Sequence, residues 1–152
     1  MWPVDKNRVR ITFPYGVVYN IPAWFKKGVT HKGVDIAPLI SSEDIKVSYP
    51  VNGIIEYADW QDRIHHDIGF GLYVRILFVD HAGGLLERHY LAHLKDVDAH
   101  PGESVSKGQG FALIGTKKGE IGWATGIHTH YEVRRSIGNG KWGVVSPMPY
   151  LT

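Results

Sequence analysis

The 152-residue sequence contains no cysteine, and this absence removes several kinds of chemistry at once. Without cysteine the chain forms no disulfide, has no thiolate nucleophile and cannot build the cysteine-rich sites that hold structural zinc. Any metal ion must therefore be bound through histidine, aspartate or glutamate. The sequence has nine histidines and 15 acidic residues that could serve.

Long hydrophobic runs are also missing. No stretch of about 18 apolar residues is present, so we expect no membrane insertion. The first residues, Met1 to Lys6, lack the basic and then apolar pattern of a secretory signal peptide. We therefore expect either that another component delivers the chain across a membrane or that a leader has been removed.

An excess of charge of one sign is missing as well. Lysine and arginine number 17 against 15 acidic residues, a formal net charge of +2. The basic residues are scattered, whereas a nucleic-acid-binding domain usually concentrates them on one face or arm. We therefore expect no nucleic-acid partner.

Glycine and proline, by contrast, are frequent, with 18 and eight residues. They separate short runs rich in valine, isoleucine and tyrosine, which is typical of strands joined by turns. No stretch sustains an apolar period of 3.6 residues, and residues 85–94 come nearest to one. We predict a mainly β fold with few or no helices, with its clearest strands at residues 45–51, 53–57, 72–79 and 129–133.

The segment 72–79 is almost uniformly apolar, which predicts a central strand covered on both faces. The next residues, 81–84, predict a hairpin turn. The stretch 115–126 contains four glycines and predicts a long surface loop that forms one wall of a site. Because no repeat, linker or low-complexity tract interrupts the chain, we expect a single domain over residues 1–152.

Two histidine patterns indicate a metal site. His128 and His130 stand two apart at the start of a predicted strand, so both side chains project from one face. His31 and Asp35 have an even spacing in an extended segment, and Gly33 between them permits close backbone approach. Either pattern alone is more often explained by surface histidines. Two of them in a chain without cysteine, with His93 as a further candidate, favour an open site of the kind that holds catalytic zinc.

The other histidines are weaker candidates. His89 and His93 would lie on one face of a helix, as in the zincin motif, but Tyr90 stands where zincins have the glutamate that acts as general base. His65 and His66 lie in a polar segment that predicts a solvated loop. We assign no chemistry to His81 and His100, which adjoin turns.

The whole pattern closely resembles the lysostaphin and LytM type of zinc peptidases, which cut peptide bonds in bacterial peptidoglycan. The resemblance extends from about residue 14 to the end of the chain. Its matching segments, in family order, are residues 31–37 (HKGVDIA), 49–55 (YPVNGII), 69–74 (GFGLYV), 90–94 (YLAHL), 105–109 (VSKGQ) and 125–133 (TGIHTHYEV).

The resemblance implies a small fold of antiparallel sheets with an open groove for an extended peptide. It implies one zinc ion per chain, bound by His31, Asp35 and His130, with His93 and His128 beside it as catalytic histidines. One of these two would take the proton of the attacking water while the other stabilises the oxyanion or protonates the leaving amine, and either order is open. Glu132 continues the same strand face and is either a partner that orients a histidine or an ordinary exposed glutamate.

The implied partners are peptidoglycan peptides, and a monomer is favoured. The implied place of action is the bacterial cell wall, in the periplasm or outside the cell. The resemblance leaves open whether the chain is a phage-type lysin, a virion tail-associated lysin or the mature fragment of a secreted enzyme. The alternative is a non-catalytic peptidoglycan-binding or virion-structural module that retains the fold.

The chain departs from the family pattern at two places. Thr129 replaces the leucine that commonly separates the paired histidines, which we expect to alter packing rather than metal binding. Some members carry a tyrosine shortly before the first metal ligand, but the nearest aromatics here are Trp24 and Phe25. The tyrosine's role is therefore either absent or taken by Tyr15 or Tyr19.

Overall fold

The computed structural model describes residues 1–18 and 28–152. Tyr19, Trp24 and Phe25 lie outside the described residues, and Tyr15 does not line the cavity at the histidine cluster described below. The strands are β1 (Val9–Phe13), β2 (Gly33–Pro38), β3 (Lys46–Ser48), β4 (Gly53–Trp60), β5 (Leu72–Asp80), β6 (Leu85–Ala92), β7 (Leu94–Lys95), β8 (Ser104–Val105), β9 (Gly110–Ile114), β10 (Thr129–Ser136) and β11 (Trp142–Val145). A single 3-10 turn over Met148–Tyr150 is the only helical element in the described part of the chain.

The strands form two sheets in which every pair is antiparallel. The larger sheet has eight strands in the order β1-β2-β10-β6-β5-β4-β8, and β11 also pairs with β10. The smaller sheet has three strands in the order β3-β9-β7. The prediction of a mainly β fold of antiparallel sheets is confirmed.

One face of the larger sheet is buried in the hydrophobic core. Alternate residues of a strand point to opposite faces, and the inward set includes Ile36, Ile76 and Leu91, none of which is measurably exposed. The smaller sheet contributes Val47 and Ile114 to the same core. We call this the core face of the larger sheet and the opposite one its groove face.

The expectation that segment 72–79 is covered on both faces is wrong. Val74 and Ile76 of β5 are buried, but the residues between them are only partly buried. The reason is the groove face, where Tyr73 and Arg75 point and where no second sheet packs in the described part of the chain. The segment is a central strand, as predicted, and a turn at residues 81–84 joins it to β6.

The segment 85–94, where a helical period comes nearest, contains strand β6 instead. The zincin-like interpretation of His89 and His93 fails with it, because His89 points into the core and is fully buried. Among the described residues, no helix is long and apolar enough to cross a membrane.

Candidate metal centre

Strands β2 and β10 bring the two histidine patterns together. They pair so that His130 stands opposite Asp35 and Glu132 opposite Gly33. A Cβ atom added to Gly33 would lie 2.6 Å from two atoms of the His130 ring, so only glycine leaves room for this imidazole. The glycine between His31 and Asp35 thus allows the close approach that the sequence predicted.

Three of the predicted site residues meet at one point. His31 Nε2 lies 3.2 Å from Asp35 Oδ1, and His130 Nδ1 lies 2.9 Å from the same oxygen. The two imidazole nitrogens are 3.2 Å apart. His31, Asp35 and His130 are also the only group of three or more histidine or acidic side chains among the described residues that could hold a metal ion.

Backbone and carboxylate acceptors orient both imidazoles. His31 donates through Nδ1 to the carbonyl of Pro14 at 3.0 Å, and His130 donates through Nε2 to Glu132 at 3.1 Å. In neutral histidine the other nitrogen then carries a lone pair. Two lone pairs and a carboxylate oxygen therefore face one another, which is the donor set that a zinc ion accepts.

The electrostatics of the three residues favour a positive charge at this point. Burial opposes protonation of His130, but the carboxylates of Asp35 and Glu132 outweigh it and raise the pKa of His130 to about 9. Burial likewise opposes ionisation of Asp35, but hydrogen bonds to His130 and His31 lower the pKa of its carboxyl well below the usual range. A cation is thus stabilised among these groups.

His93 and His128 stand beside the three converging residues. His128 Nε2 lies 3.6 Å from Asp35 Oδ1, and the rings of His93 and His128 are 4.7 Å apart between centroids. His93 donates through Nδ1 to the carbonyl of Ile121 at 2.6 Å, and His128 donates to that of Gly126 at 3.0 Å. In each residue the Nε2 atom keeps its lone pair.

The surroundings of both histidines disfavour their charged forms. Burial, followed by the charges of His128 and His130, lowers the pKa of His93 to about 3. Burial also lowers the pKa of His128, although Asp35 opposes the shift. His93 has a backbone φ of 58°, a left-handed conformation that is uncommon outside glycine and is often found at functional sites.

Asp35, His93, His128 and His130 border a cavity of about 270 Å³. Two loops form its walls, and the sequence predicted only one of them. The loop 115–126 contributes Trp123 and Thr125, as predicted, while the segment between β4 and β5 contributes Gln61 and Phe70. No signal in the sequence marked Gln61, Phe70 or Trp123 individually.

Two hydrogen bonds join the walls. The amide of Gly122 donates to the carbonyl of His66 at 2.8 Å, and that of Trp123 donates to Gly69 at 2.9 Å. A Cβ atom on Gly71 would lie 2.5 Å from the nitrogen of Gly122, so the loops approach within the limit that glycine allows. His66, predicted in a solvated loop, stacks on Trp60 with ring centroids 3.6 Å apart.

The structure answers what the sequence left open about Glu132 and shows where Thr129 points. Glu132 is only 2% exposed and binds His130, so it is not the exposed glutamate that the sequence left open. Thr129 points to the core side, where its hydroxyl donates to the carbonyl of Ala92 at 2.9 Å.

Comparison with known proteins gives a consistent family. A model of peptidase family M23 matches residues 29–142. No curated protein matches the sequence significantly.

Three solved structures similar to this chain are two peptidases and one M23 protein. The catalytic domain of the antimicrobial peptidase lysostaphin from Staphylococcus simulans is 25% identical, with a TM-score of 0.66 over 95% of this chain and 92% of its own. A variant catalytic domain of the prophage-encoded M23 protein EnpA from Enterococcus faecalis is 25% identical, with a TM-score of 0.64 and coverage of 97% and 95%.

A zinc-containing peptidase from Vibrio cholerae is 24% identical and shares the fold, with a TM-score of 0.69 over 94% of this chain. The chain spans 37% of the length of that protein.

Proposed function

The chain belongs to peptidase family M23, and from that premise we propose that it is a zinc-dependent endopeptidase that hydrolyses peptide bonds in bacterial peptidoglycan. One observation carries the proposal. Asp35, His130, His93 and His128 line one cavity, and His31 lies 3.2 Å from both Asp35 and His130. The outer nitrogen of each histidine is engaged elsewhere.

One zinc ion per chain would be held by Nε2 of His31, Oδ1 of Asp35 and Nδ1 of His130. Three protein ligands leave a position for water or substrate, as in catalytic rather than structural zinc sites. When bound at such a site, zinc acts as a Lewis acid that activates water and polarises a carbonyl group. Glu132 holds the outer N–H of His130 and so keeps the inner nitrogen free to bind.

His93 and His128 supply the proton transfers in this proposal. Each presents an unprotonated Nε2 atom on the cavity side while a backbone carbonyl holds its Nδ1–H. One Nε2 accepts a proton from the attacking water, and that same proton is then delivered to the leaving amine, either from this ring or after transfer to Nε2 of the other. The close placement of the rings allows either histidine to take either step.

Phe70 and Trp123 give the cavity an apolar wall that limits the access of water to the reacting peptide. On the sheet face beside the cavity, Tyr73 and Arg75 are only partly buried, which suits contact with an extended peptide. We infer that the chain acts in the cell wall as a single catalytic domain on peptidoglycan peptides.

The proposal is tested by incubating the purified protein with bacterial cell walls in the presence of zinc. We expect new amino termini to appear, a chelator to stop their release, and elemental analysis to find about one zinc per chain. Binding to cell walls without release of amino termini would instead support a non-catalytic module. A fully active protein without metal would contradict the zinc site.

Walls with glycine-rich cross-bridges, with direct cross-links through a diamino acid and with amidated stem peptides should then be compared. Mass spectrometry of the released fragments would identify the bond that is cut.

A further inference from the structure

A second cavity, of about 240 Å³, adjoins the metal-binding residues. His31 and His130 form one side of it, and Lys32 and Arg134 line it as well. His93 and His128 border the first cavity but not this one. The second cavity therefore lies next to the reaction centre without holding the residues proposed to transfer protons.

Arg134 brings unused hydrogen-bond donors to this cavity. Its Nε atom donates to Glu132 at 2.6 Å, and its guanidinium carbon lies 4.6 Å from the centre of the Tyr90 ring. The four N–H groups on its two terminal nitrogens have no hydrogen-bond partner within residues 1–18 and 28–152. The side chain is 31% exposed, so these donors are accessible.

Two other arginines of the larger sheet, Arg88 and Arg135, differ from Arg134 in this respect. Arg88 donates through both Nε and Nη2 to the carboxylate of Glu56, at 2.7 and 3.1 Å. Arg135 donates through the same two atoms to Glu87, at 2.9 and 2.7 Å. In both arginines two guanidinium nitrogens are therefore engaged by one carboxylate, whereas in Arg134 only Nε is engaged among the described residues.

Lys32 adds a second cation. Its side chain is exposed, and none of the acidic groups that the structure describes lies within ion-pair distance of it. The one acidic side chain on the cavity wall is Glu132, whose oxygens already bind Nε2 of His130 and Nε of Arg134. The cavity thus has two positive side chains and no free negative one.

We propose that this second cavity is a subsite for a substrate residue that carries a free carboxylate close to the scissile bond. The inference rests on the proposed function and specifies its substrate class: anionic peptides rather than peptides of glycine alone or amidated peptides. The planar fork of an arginine matches a carboxylate in two parallel hydrogen bonds, and a lysine beside it adds a mobile charge.

The test uses two peptidoglycan stem peptides that differ at one position, where one carries a free carboxyl group and the other its primary amide. Binding is measured by calorimetry and hydrolysis by release of amino termini, both with the zinc-loaded protein. We expect the wild type to prefer the free carboxylate by about tenfold, with the difference in KM rather than in kcat.

Arg134→Gln should bring the preference close to one, and Lys32→Gln should reduce it by about threefold. Arg134→Lys should retain part of it, because the charge remains while the fork is lost. Lys141→Gln removes an exposed charge that lines neither cavity and should leave the preference unchanged. If Arg134→Gln does not fold, Arg134→Lys and Lys32→Gln carry the test.

Equal binding and equal hydrolysis of the two peptides would overturn the subsite and leave the proposed function intact. Preferential binding of the carboxylate that is lost in Arg134→Gln, without hydrolysis of either peptide, would support the subsite and overturn the proposed function. A preference that survives in both Arg134→Gln and Lys32→Gln would assign it to other residues and overturn the subsite.

Discussion

Polar side chains gather on both faces of the larger sheet around strand β10, and the two groups have very different surroundings. The groove-face cluster consists of His31, Asp35, His130, Glu132 and Arg134. The core-face cluster consists of Glu87, His89, Tyr131, Arg135 and Tyr150. Both contain histidine, arginine and carboxylate, and Arg134 and Arg135 are neighbours in sequence.

The core-face cluster is a closed network. Glu87 accepts hydrogen bonds from Arg135 and from the hydroxyl of Tyr150, and its Oε2 lies 3.3 Å from Nε2 of His89. A hydrogen bond of 2.8 Å joins Nδ1 of His89 to the hydroxyl of Tyr131. Burial opposes ionisation of Glu87, but these partners outweigh it and lower the pKa of Glu87 to about 2.

In the groove-face cluster the outer nitrogens of His31 and His130 have hydrogen-bond acceptors that hold them in place. Its inner nitrogens and the Asp35 oxygen face one another across about 3 Å, and the terminal nitrogens of Arg134 donate to no acceptor among the described residues. Partners within the protein engage the Glu87 carboxylate, although the buried Nε2 of His89 has no hydrogen-bond partner among the described residues. We therefore assign the first network to stabilising the fold. The second has capacity left for a metal ion and a substrate.

The largest expected effect comes from removing a metal ligand. His31→Ala should reduce bound zinc from about one per chain to near zero and hydrolysis to background, because two ligands seldom hold zinc. Elemental analysis of the purified variant measures this. His65→Ala, at an exposed position, is the matched control and should retain both. Unchanged zinc in His31→Ala would reassign the ligands.

The next effect separates chemistry from metal binding. His93→Ala and His128→Ala should keep zinc but lose about 10²–10⁴-fold in kcat, because general acid–base catalysis typically contributes that much. Zinc content and hydrolysis are measured on the same samples. Wild-type turnover in either variant would remove that residue from the mechanism.

The same substitution on the two faces should sharpen the contrast between the clusters. Glu87→Gln removes a buried charge from the closed network and should lower the free energy of unfolding by about 2–4 kcal/mol, with zinc affinity unchanged. Glu132→Gln should instead weaken zinc binding by about 10–100-fold, because the orientation of His130 is loosened.

Urea titration measures the free energy of unfolding, and competition with a chelator measures zinc affinity. Glu43→Gln, which breaks an exposed pair with Arg8, should change stability by less than about 1 kcal/mol. If Glu87→Gln and Glu132→Gln changed the same quantity, the division between the faces would be wrong.

The smallest effect is the pH dependence of the core-face cluster. The folded-state pKa of Glu87 is lowered, so its stabilisation is complete above pH 4.5 and is lost as the pH falls toward 2. Its contribution should fall from about 3 kcal/mol at pH 7 to about 1 kcal/mol at pH 3. The difference in unfolding free energy between wild type and Glu87→Gln should therefore narrow on acidification. A constant difference across this range would contradict the assignment.

Sequence patterns were sufficient for the fold class and for the residues of the candidate metal centre. Strands β4, β5 and β10 lie where alternating and apolar runs predicted them. Four of the five site residues line one cavity, and His31 adjoins two of them. Their roles in binding and catalysis stay predictions until zinc and hydrolysis are measured. The edge strands β1 and β11 went unpredicted because pairing with β2 and β10, rather than local composition, makes them strands.

The sequence by itself predicted the chemistry of the site: two spaced histidine patterns in a chain without cysteine indicate a metal site, and the resemblance of six ordered segments to the lysostaphin and LytM type implies His31, Asp35 and His130 as its ligands. Only the tertiary structure decided which face each polar residue serves. His89 and His93 are four residues apart, yet His89 lies in the core and His93 beside the candidate metal ligands. A left-handed turn at His93 and the long-range pairing of β6 with β10 set these directions, and neither can be deduced from residue types along the chain.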